Sequence, residues 1–327
     1  MHPSRKTTEG KFVHPAEAGG LKSRLAAGYN PGSLASGSRT HLEVKRMHFV
    51  ASIADLHAAL LELRPGKKVG LVPTMGALHA GHVSLIRGAR KETDLVVVSI
   101  FVNPTQFGPS EDLESYPRPI EHDRKVCEKA GADILFAPPT HEIYPSGYAT
   151  YVLQERYTEA FEGEIRTGHF HGVCTICAKL FNLVHPDVAF FGLKDYQQSL
   201  VIRRMVRDLN FDVKISLCTT VRESDGLAMS SRNVYLSPEE REQATVLYRA
   251  LRKAEEMFAK GERRAAPFIA AMGEVLREAP LAKVDYVAVV NPETLREIRR
   301  IESEAMVLIA VRLGRTRLID NCRLSAR

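Results

Sequence analysis

Hydrophobic positions repeat with two different periods between residues 47 and 221. Segments such as ASIADLHAALLELR and HVSLIRGARKE carry apolar residues at helical spacing. Between such segments lie the shorter runs KKVGLVPTMG, DLVVVSIFVN, ILFAP, DVAFFG and VKISLCTTV, which predict strands, and the continuous apolar run in DLVVVSIFVN is typical of a strand buried on both faces. Because strands that alternate with helices form parallel sheets, the pattern predicts an α/β domain with a doubly wound parallel sheet over residues 47–221.

A different pattern begins after residue 221 and indicates a second, smaller unit over residues 222–327. In the segment SPEEREQATVLYRALRKAEEMFAKG, Ser237 is the predicted N-cap, Pro238 the first helical residue and Glu240 the partner in a capping box. A second predicted helix covers about 265–278, and three strands follow in VDYVAVVN, AMVLIAVRLG and TRLIDN. We therefore expect an α+β domain whose boundary lies near residue 222, within VRESDG.

Residues 1–46 show no sustained period. They are rich in Gly, Ser, Ala, Lys and Arg, which predicts a disordered tail. The alternative is a mis-assigned start, because Met47 opens the first patterned segment. An organellar transit peptide fits less well, since Glu9 and Glu17 interrupt the acid-poor pattern of such peptides.

The net charge of +6 is concentrated in that tail. Residues 1–46 contain eight Lys or Arg and three Glu, so the rest of the chain is nearly neutral and does not require a nucleic-acid partner. No apolar run reaches the roughly 18–20 residues of a membrane span, so we expect no membrane partner. Five cysteines in 327 residues, with no secretory signal, are typical of a cytoplasmic protein.

The stretch VPTMGALHAGHVSLIRGA places glycines and histidines where a predicted strand meets a helix. Open α/β sheets bind ligands at the carboxyl ends of their strands, and the N-terminus of the next helix favours phosphate. Gly76 and Gly81 let the backbone approach a ligand, and His79 and His82 can point at one phosphate. The alternatives are histidines that cap a turn, or an H-x-x-H zinc site that lacks a third ligand at a familiar spacing.

Two further polar motifs follow predicted strands. In IFVNPTQFGP, the amides of Asn103 and Gln106 suit the hydroxyls and carboxylates of a small ligand, although Asn-Pro also opens ordinary turns. In FFGLKDYQQS, Lys194 is a candidate cation for phosphates, Asp195 can cap the next helix, and Gln198 lies one turn further on. The alternative for this motif is a capped helix with a solvated lysine.

The segment LAMSSRNVYLS lies beside the predicted domain boundary. Ser230, Ser231 and Arg232 supply two hydroxyls, backbone N–H groups and a guanidinium, which together predict a phosphate clamp. The alternative is a flexible serine-rich connector.

Two other motifs carry less specific chemistry. The pair Cys174 and Cys177 lies in an apolar helical segment, which favours buried core cysteines over redox or metal chemistry. His169 and His171 in GHFHG are candidates for phosphate or substrate contacts, and a loop that packs against the site is the favoured interpretation.

The ordered segments PTMGALHAGH, FVNPTQF, YPR, GADILFAP, GHFHGV, AKLFN, FGLKDYQQ and TVRESDGLAMSSRN resemble the pantothenate synthetase (pantoate–β-alanine ligase) family. H-x-G-H alone would indicate only the wider nucleotidylyltransferase-like group. The resemblance, from Met47 onwards, implies a Rossmann-like N-terminal domain, a C-terminal lid domain and a homodimer. It implies ATP-dependent ligation of (R)-pantoate and β-alanine to pantothenate through pantoyl adenylate, with release of AMP and pyrophosphate, usually with Mg²⁺.

The resemblance also implies site residues, position by position. The ATP-binding positions are Met75, Gly76, Ala77, Leu78, His79, Ala80, Gly81, His82, Gly192, Leu193, Lys194, Asp195, Val221, Met229, Ser230, Ser231 and Arg232. Gln106 and Gln198 match the pair that holds pantoate, Gln106 also matches the β-alanine position, and we add Asn103 to the substrate-binding group. The catalytic candidates are His82, which matches the proton donor, together with His79, Lys194 and Arg232.

Two other functions stay open from the sequence. One is a different adenylyltransferase that uses H-x-G-H on a nucleotide or phosphopantetheine, and the other is a non-catalytic nucleotide- or metal-binding protein. The amides of NPTQF and KDYQQ suit a small hydroxy acid and therefore favour the ligase. We assign no protein ligand to a metal.

Overall fold

The computed structural model describes residues 47–109 and 111–326. The predictions for residues 1–46, a disordered tail or a mis-assigned start, fall outside these residues. Within the two described ranges, no helix combines the length and the apolar character needed to cross a membrane.

Six parallel strands form the central sheet, in the order β1-β4-β3-β2-β5-β6. They are β1 (His48–Val50), β2 (Val69–Thr74), β3 (Leu95–Ile100), β4 (Ile134–Phe136), β5 (Val188–Gly192) and β6 (Lys214–Cys218). The apolar runs predicted all of them except β1, whose three residues are too few to show a period.

Helices cover both faces of this sheet. They are α1 (Ile53–Leu63), α2 (Ala80–Glu92), α3 (Ile120–Ala130), α4 (Thr140–Ile143), α5 (Glu162–Ile165), α6 (His169–Val184) and α7 (Tyr196–Asp208). Because side chains alternate along a strand, Val97 packs with α1, α6 and α7, whereas Val96 and Val98 pack with α2 and α3. Both faces of the central strands pack against mainly apolar layers, which explains the continuous apolar runs.

The C-terminal part is an antiparallel three-stranded sheet with helices on one face. Its elements are α8 (Pro238–Gln243), α9 (Val246–Ala259), α10 (Ala265–Arg277), β7 (Ala282–Val290), β8 (Glu304–Leu313) and β9 (Thr316–Ser325). The other face of the sheet packs on α7 through a separate apolar cluster that includes Leu200, Val290 and Leu308. The α/β fold with a second, smaller unit is confirmed.

The predicted helix after Ser237 is two helices. Ser237 and Glu240 form the expected capping box at the start of α8. The Leu247 N–H then bonds the carbonyl of Ala244, three residues back, which tightens the chain between α8 and α9. This break allows both Ala244 and Val246 to be fully buried.

Candidate active site at the carboxyl ends of β2 and β5

A cavity of about 250 Å³ opens where the winding of the parallel sheet reverses. The chain runs from β2 outward to β3 and β4, then returns to the opposite side of β2 at β5. Such a switch point, at the carboxyl ends of the strands, is the usual ligand site of an open α/β sheet. The motifs around Met75 and Lys194 follow β2 and β5 directly, so the topology brings them together.

Most of the predicted site residues line this cavity. They are Met75, His79, Gly81, His82, Gln106, Gly192, Lys194, Asp195, Gln198, Val221, Met229, Ser230, Ser231 and Arg232. Six predicted residues lie outside the lining, namely Gly76, Ala77, Leu78, Ala80, Leu193 and Asn103.

The loop from Met75 to Leu78 is held by a carboxylate from another element. Gly76 has φ +86° and Ala77 has φ +50°, a left-handed bend that glycine tolerates best. Buried Asp123, on α3, accepts hydrogen bonds from the N–H groups of Ala77 and Leu78, each at 2.8 Å. The loop residues outside the cavity therefore shape the backbone. Asp123 was not predicted.

The two histidines form a capping box at the start of α2. His79 Nδ1 accepts the Gly81 N–H at 3.1 Å, and His82 Nδ1 accepts the His79 N–H at 3.3 Å. A ring nitrogen that accepts a hydrogen bond carries no proton, so each neutral ring carries its hydrogen on Nε2. The ring centroids are 4.1 Å apart. Two Nε2–H donors are thus left for a ligand in the cavity.

Burial keeps both histidines neutral. Burial and, to a smaller extent, the Lys194 ammonium together lower the pKa of His79 to about 4. Burial lowers the pKa of His82 to about 3, where the neighbouring His79 acts in the same direction. At neutral pH the pair can donate hydrogen bonds to phosphate oxygens without carrying charge.

Lys194, directly after β5, supplies an ammonium to the cavity. Its Nζ lies 3.2 Å from Asp195 Oδ1. Burial raises the pKa of Asp195, but the ammonium and its hydrogen bond outweigh this and hold that pKa below its usual value. Asn321, on β9, donates to the carbonyls of Leu193 and Lys194 at 2.9 and 2.8 Å and so fixes this turn from the C-terminal sheet.

The Ser230–Arg232 segment closes over the Met75–Leu78 loop. Ser231 Oγ donates to the Ala77 carbonyl at 3.0 Å, and Ser230 Oγ accepts the Arg232 N–H at 3.2 Å. The Arg232 guanidinium donates to both carboxylate oxygens of Asp112, at 2.8 and 3.1 Å. The Arg232 guanidinium, predicted to bind phosphate, is therefore paired with a protein carboxylate in this structure.

The amides differ in how freely they face the cavity. Buried Asn103 is held by protein partners throughout and does not reach the cavity. Gln197, a cavity residue that was not predicted, bonds backbone groups of Tyr157, Ala160 and Glu162. Gln198 lines the cavity, and its amide makes no hydrogen bond within the described residues.

The GHFHG motif divides between the cavity and the surface. His169 is buried and lines the cavity, whereas His171 is exposed. Burial lowers the pKa of His169 to about 3, and the Arg166 guanidinium beside it acts in the same direction. Arg166 itself forms a two-bond ion pair with Glu111. The GHFHG motif gave His169 only as one of two candidate contact residues. No sequence pattern predicted the ion pair between Arg166 and Glu111.

The cysteines of the C-x-x-C motif lie inside α6. Cys174 and Cys177 are buried in α6, and burial raises the pKa of the Cys174 thiol to about 12. Cys177 lies at the apolar wall of the cavity. Across residues 47–109 and 111–326, no three His, Cys, Asp or Glu side chains gather as a metal cage.

Comparisons with known proteins point to one family. A family model described as "Pantoate-beta-alanine ligase" matches residues 48–323. A protein of Thermoanaerobacter sp. strain X514 named pantothenate synthetase is 53% identical over 270 residues, 82% of this chain and 95% of the relative. A pantothenate synthetase of Roseiflexus castenholzii is 52% identical over 86% of this chain and its own entire length.

Solved structures agree with the sequences. The crystal structure of pantothenate synthetase from Thermus thermophilus aligns with a TM-score of 0.83 at 50% identity, covering 86% of this chain and 100% of that one. The pantoate–β-alanine ligase of Francisella tularensis, complexed with "Beta-gamma ATP and Beta-alanine", aligns with a TM-score of 0.71 at 33% identity, covering 85% of this chain and 97% of that one. The chain therefore belongs to the pantoate–β-alanine ligase family and is an enzyme of the ligase class.

Proposed function

We propose that this enzyme joins (R)-pantoate and β-alanine to pantothenate at the expense of ATP, through a pantoyl-adenylate intermediate. The observation that carries the proposal is the set of donors at the switch point, where two neutral histidines and Lys194 face one cavity with Gln106 and Gln198. The structure of the relative from Francisella tularensis is a complex with an ATP compound and β-alanine, which supports both ligands.

In the first step, a carboxylate oxygen of pantoate attacks the α-phosphorus of ATP, and pyrophosphate leaves. Negative charge grows on the phosphoryl oxygens in the transition state. The Nε2–H groups of His79 and His82, the ammonium of Lys194 and the N-terminal field of α2 stabilise that charge. Arg232 joins them once phosphate replaces Asp112 as its partner.

In the second step, the amine of β-alanine attacks the acyl carbon of the adenylate. The C–O bond to phosphate breaks, AMP leaves with the bonding electrons, and the nitrogen loses a proton as the amide forms. The attacking groups belong to the substrates, so the step needs no protein nucleophile.

Mg²⁺ fits this site as a partner of the nucleotide. Proteins usually hold Mg²⁺ through one or two carboxylates together with substrate phosphates, and bound Mg²⁺ neutralises phosphate charge. Glu162 and Asp320, which also line the cavity, are already bound by Arg317 and Arg222. Asp195 is paired as well, but by one contact with Lys194 Nζ at 3.2 Å, whereas those two carboxylates each accept two bonds from an arginine. Asp195 is therefore the carboxylate that would hold the ion with the phosphates.

Several larger-scale proposals rest on the sequence pattern and on the family resemblance. They are a division into residues 47–221 and 222–327, a C-terminal lid that shields the adenylate from water, a homodimer and a cytoplasmic location. Size-exclusion chromatography with light scattering tests the dimer. A mass equal to one chain of 36.4 kDa at micromolar concentration would contradict it.

The test of the activity is AMP release with ATP, pantoate and β-alanine, each omitted in turn. We expect AMP only when all three are present, and pyrophosphate whenever ATP and pantoate are present. Pyrophosphate without pantoate would contradict the proposal and would favour another adenylyltransferase.

A further inference from the structure

The carboxamide of Gln106 has only one orientation that its neighbours allow. Asn103, which is 0% exposed, donates from Nδ2 to the Gly172 carbonyl at 3.0 Å. A carbonyl can only accept, so the amide of Asn103 cannot be turned round. Its Oδ1 accordingly accepts from Tyr144 OH at 2.8 Å and Thr105 Oγ1 at 2.9 Å.

The orientation of the Asn103 amide determines that of the Gln106 amide. The second hydrogen of Asn103 Nδ2 points at Gln106 Oε1, at 3.1 Å. On the other side, Gln106 Nε2 donates to the Met75 thioether sulfur at 2.9 Å, and sulfur of this kind only accepts. A reversed Gln106 would set two NH₂ groups against each other at Asn103 and an oxygen against the Met75 sulfur.

The backbone of Gln106 is fixed as firmly as its side chain. His169 Nδ1 donates to the Gln106 carbonyl at 2.8 Å, and Arg166 donates to His169 Nε2 at 3.0 Å. Gly172 packs so closely that a Cβ there would lie 2.5 Å from the Gln106 nitrogen. The residue therefore has little freedom to turn toward a ligand by moving its main chain.

Gln106 differs in this respect from the other two glutamines of the cavity. The amide of Gln197 is fully used by backbone groups, and that of Gln198 has no partner within the described residues. Gln198 can present either end to a ligand, whereas Gln106 turns its Oε1 toward buried Asn103 and has one N–H left for the cavity.

We infer that Asn103 is a positioning residue that turns the NH₂ of Gln106 toward the cavity, so that Gln106 binds an acceptor oxygen. Among the substrates of the proposed function, on which this inference rests, that acceptor is a carboxylate or hydroxyl oxygen of pantoate or the carboxylate of β-alanine. The ammonium of β-alanine, which only donates, cannot be the partner of that N–H. Asn103 acts through Gln106 and does not touch substrate.

The sharpest test is Asn103→Asp, which keeps the shape and removes the NH₂. The carboxylate can accept from Gln106 Nε2, so Gln106 turns and presents Oε1 to the cavity. We expect the KM for the substrate that Gln106 holds, pantoate or β-alanine, to rise about tenfold or more, the loss typical of a hydrogen bond to a charged group. The KM for ATP should stay within about twofold, which a general distortion of the site would not allow.

A milder pair of variants keeps the inference testable if Asn103→Asp does not fold. Tyr144→Phe removes only the hydroxyl that holds Asn103 Oδ1, and we expect a rise of about two- to tenfold in the same KM. Tyr148→Phe is the matched control, because its ring lies edge-on to that of Tyr144, with the centroids 4.9 Å apart, and does not hydrogen-bond Asn103. Equal effects of both variants, or no effect of Tyr144→Phe, would overturn the inference.

A second readout does not depend on turnover. The side-chain NH₂ of Gln106 gives a ¹H–¹⁵N signal, which Gln106→Glu identifies by its loss. We expect this signal to shift with pantoate or β-alanine in the wild type and to lie elsewhere in the free Asn103→Asp protein. An active wild-type enzyme with an unmoved signal in Asn103→Asp would refute the inference alone, whereas wild-type protein without pantoate-dependent AMP release would refute the proposed function.

Discussion

At the scale of single residues, hydrogen-bond direction decides what each group in the cavity can do. The backbone N–H groups of Gly81 and His79 use the Nδ1 atoms of the two histidines, which leaves Nε2–H groups to face the ligand. Uncharged donors of this kind strengthen as charge builds on a phosphoryl oxygen, and they need no proton transfer. The proton-donor role that the family resemblance suggests for His82 thus becomes, in our proposal, hydrogen-bond donation.

Loss of the His82 ring should reduce turnover strongly. We expect His82→Ala to lower kcat by about a hundredfold or more, the scale of a lost transition-state donor. His82→Gln, whose amide can place an N–H near the Nε2 position, should recover part of that loss. Steady-state AMP release measures both, and exposed His171→Ala is the control, with kcat expected to equal the wild-type value.

Burial of the histidines should also make stability depend on pH. Their pKa values lie near 6.5 in the unfolded chain and lower in the folded one, at about 4 for His79 and about 3 for His82 and His169. Between these values the unfolded chain binds more protons, so the free energy of unfolding falls as pH drops below about 6.5. Above about pH 7 these groups are neutral in both states and contribute no slope.

Urea unfolding at pH 7.5, 6.5, 5.5 and 5.0 measures this dependence. We expect a smaller loss of stability over this range for His82→Gln than for the wild type, because one such group is gone. A loss of the same size in both proteins would show that His82 does not contribute.

At the scale of elements, the site depends on hydrogen bonds between α3 and the loop before α2. Asp123 accepts two backbone N–H groups of that loop, and β2 and α2 lie on either side of it. These two bonds hold the loop in its left-handed bend. A partner helix, as much as the glycine, makes the backbone suitable for phosphate.

Removal of this carboxylate should damage nucleotide binding and stability together. Asp123→Ala leaves the Ala77 and Leu78 N–H groups without an acceptor, which costs about 1–3 kcal/mol for each buried group. We expect the KM for ATP to rise about tenfold and the free energy of unfolding to fall. Glu121→Ala, an exposed change in the same helix turn, should alter neither, and an unchanged KM in Asp123→Ala would contradict this account.

At the scale of the whole molecule, a buried ionic cluster and an apolar cluster connect the two sheets. Glu162, beside the cavity, accepts both terminal nitrogens of Arg317 at 2.5 and 2.7 Å and the Tyr286 hydroxyl at 2.7 Å. A β-bulge between Val284 and Tyr286 lets Asp285 reach Arg317 as well, at 2.6 Å. Any movement of the proposed lid has to work against these contacts or occur elsewhere in the linker.

Arg317→Leu should therefore destabilise the fold by about 3–5 kcal/mol, because it leaves the buried Glu162 carboxylate without its cation. The matched control is Arg312→Leu, which removes a half-exposed partner of Asp285 and should cost about 1 kcal/mol or less. Denaturant unfolding measures both, and equal losses in the two variants would contradict the role of the buried cluster.

The local sequence determined the elements and the position of the nucleotide motifs. Apolar runs and helical spacing depend only on neighbouring residues, so they predicted β2 to β6 and the capping box at Ser237. The order of family-like motifs likewise predicted that His79, Lys194 and Ser230 meet at one site. Hydrophobic periodicity did not predict β1, which has only three residues. It also did not predict the break between α8 and α9 before Val246.

Tertiary structure alone decided how those residues are oriented. Asp123 accepts a hydrogen bond from Ala77, 46 residues earlier in the chain. The orientation of Asn103 is set by the Gly172 carbonyl, 69 residues later, and Asn321 donates to the carbonyl of Lys194, 127 residues earlier. Arg232 likewise meets Asp112 instead of remaining free for phosphate. Hydrogen bonds and ion pairs act within about 3 Å and depend on geometry, and no periodicity along the chain records which distant groups the fold brings within that distance.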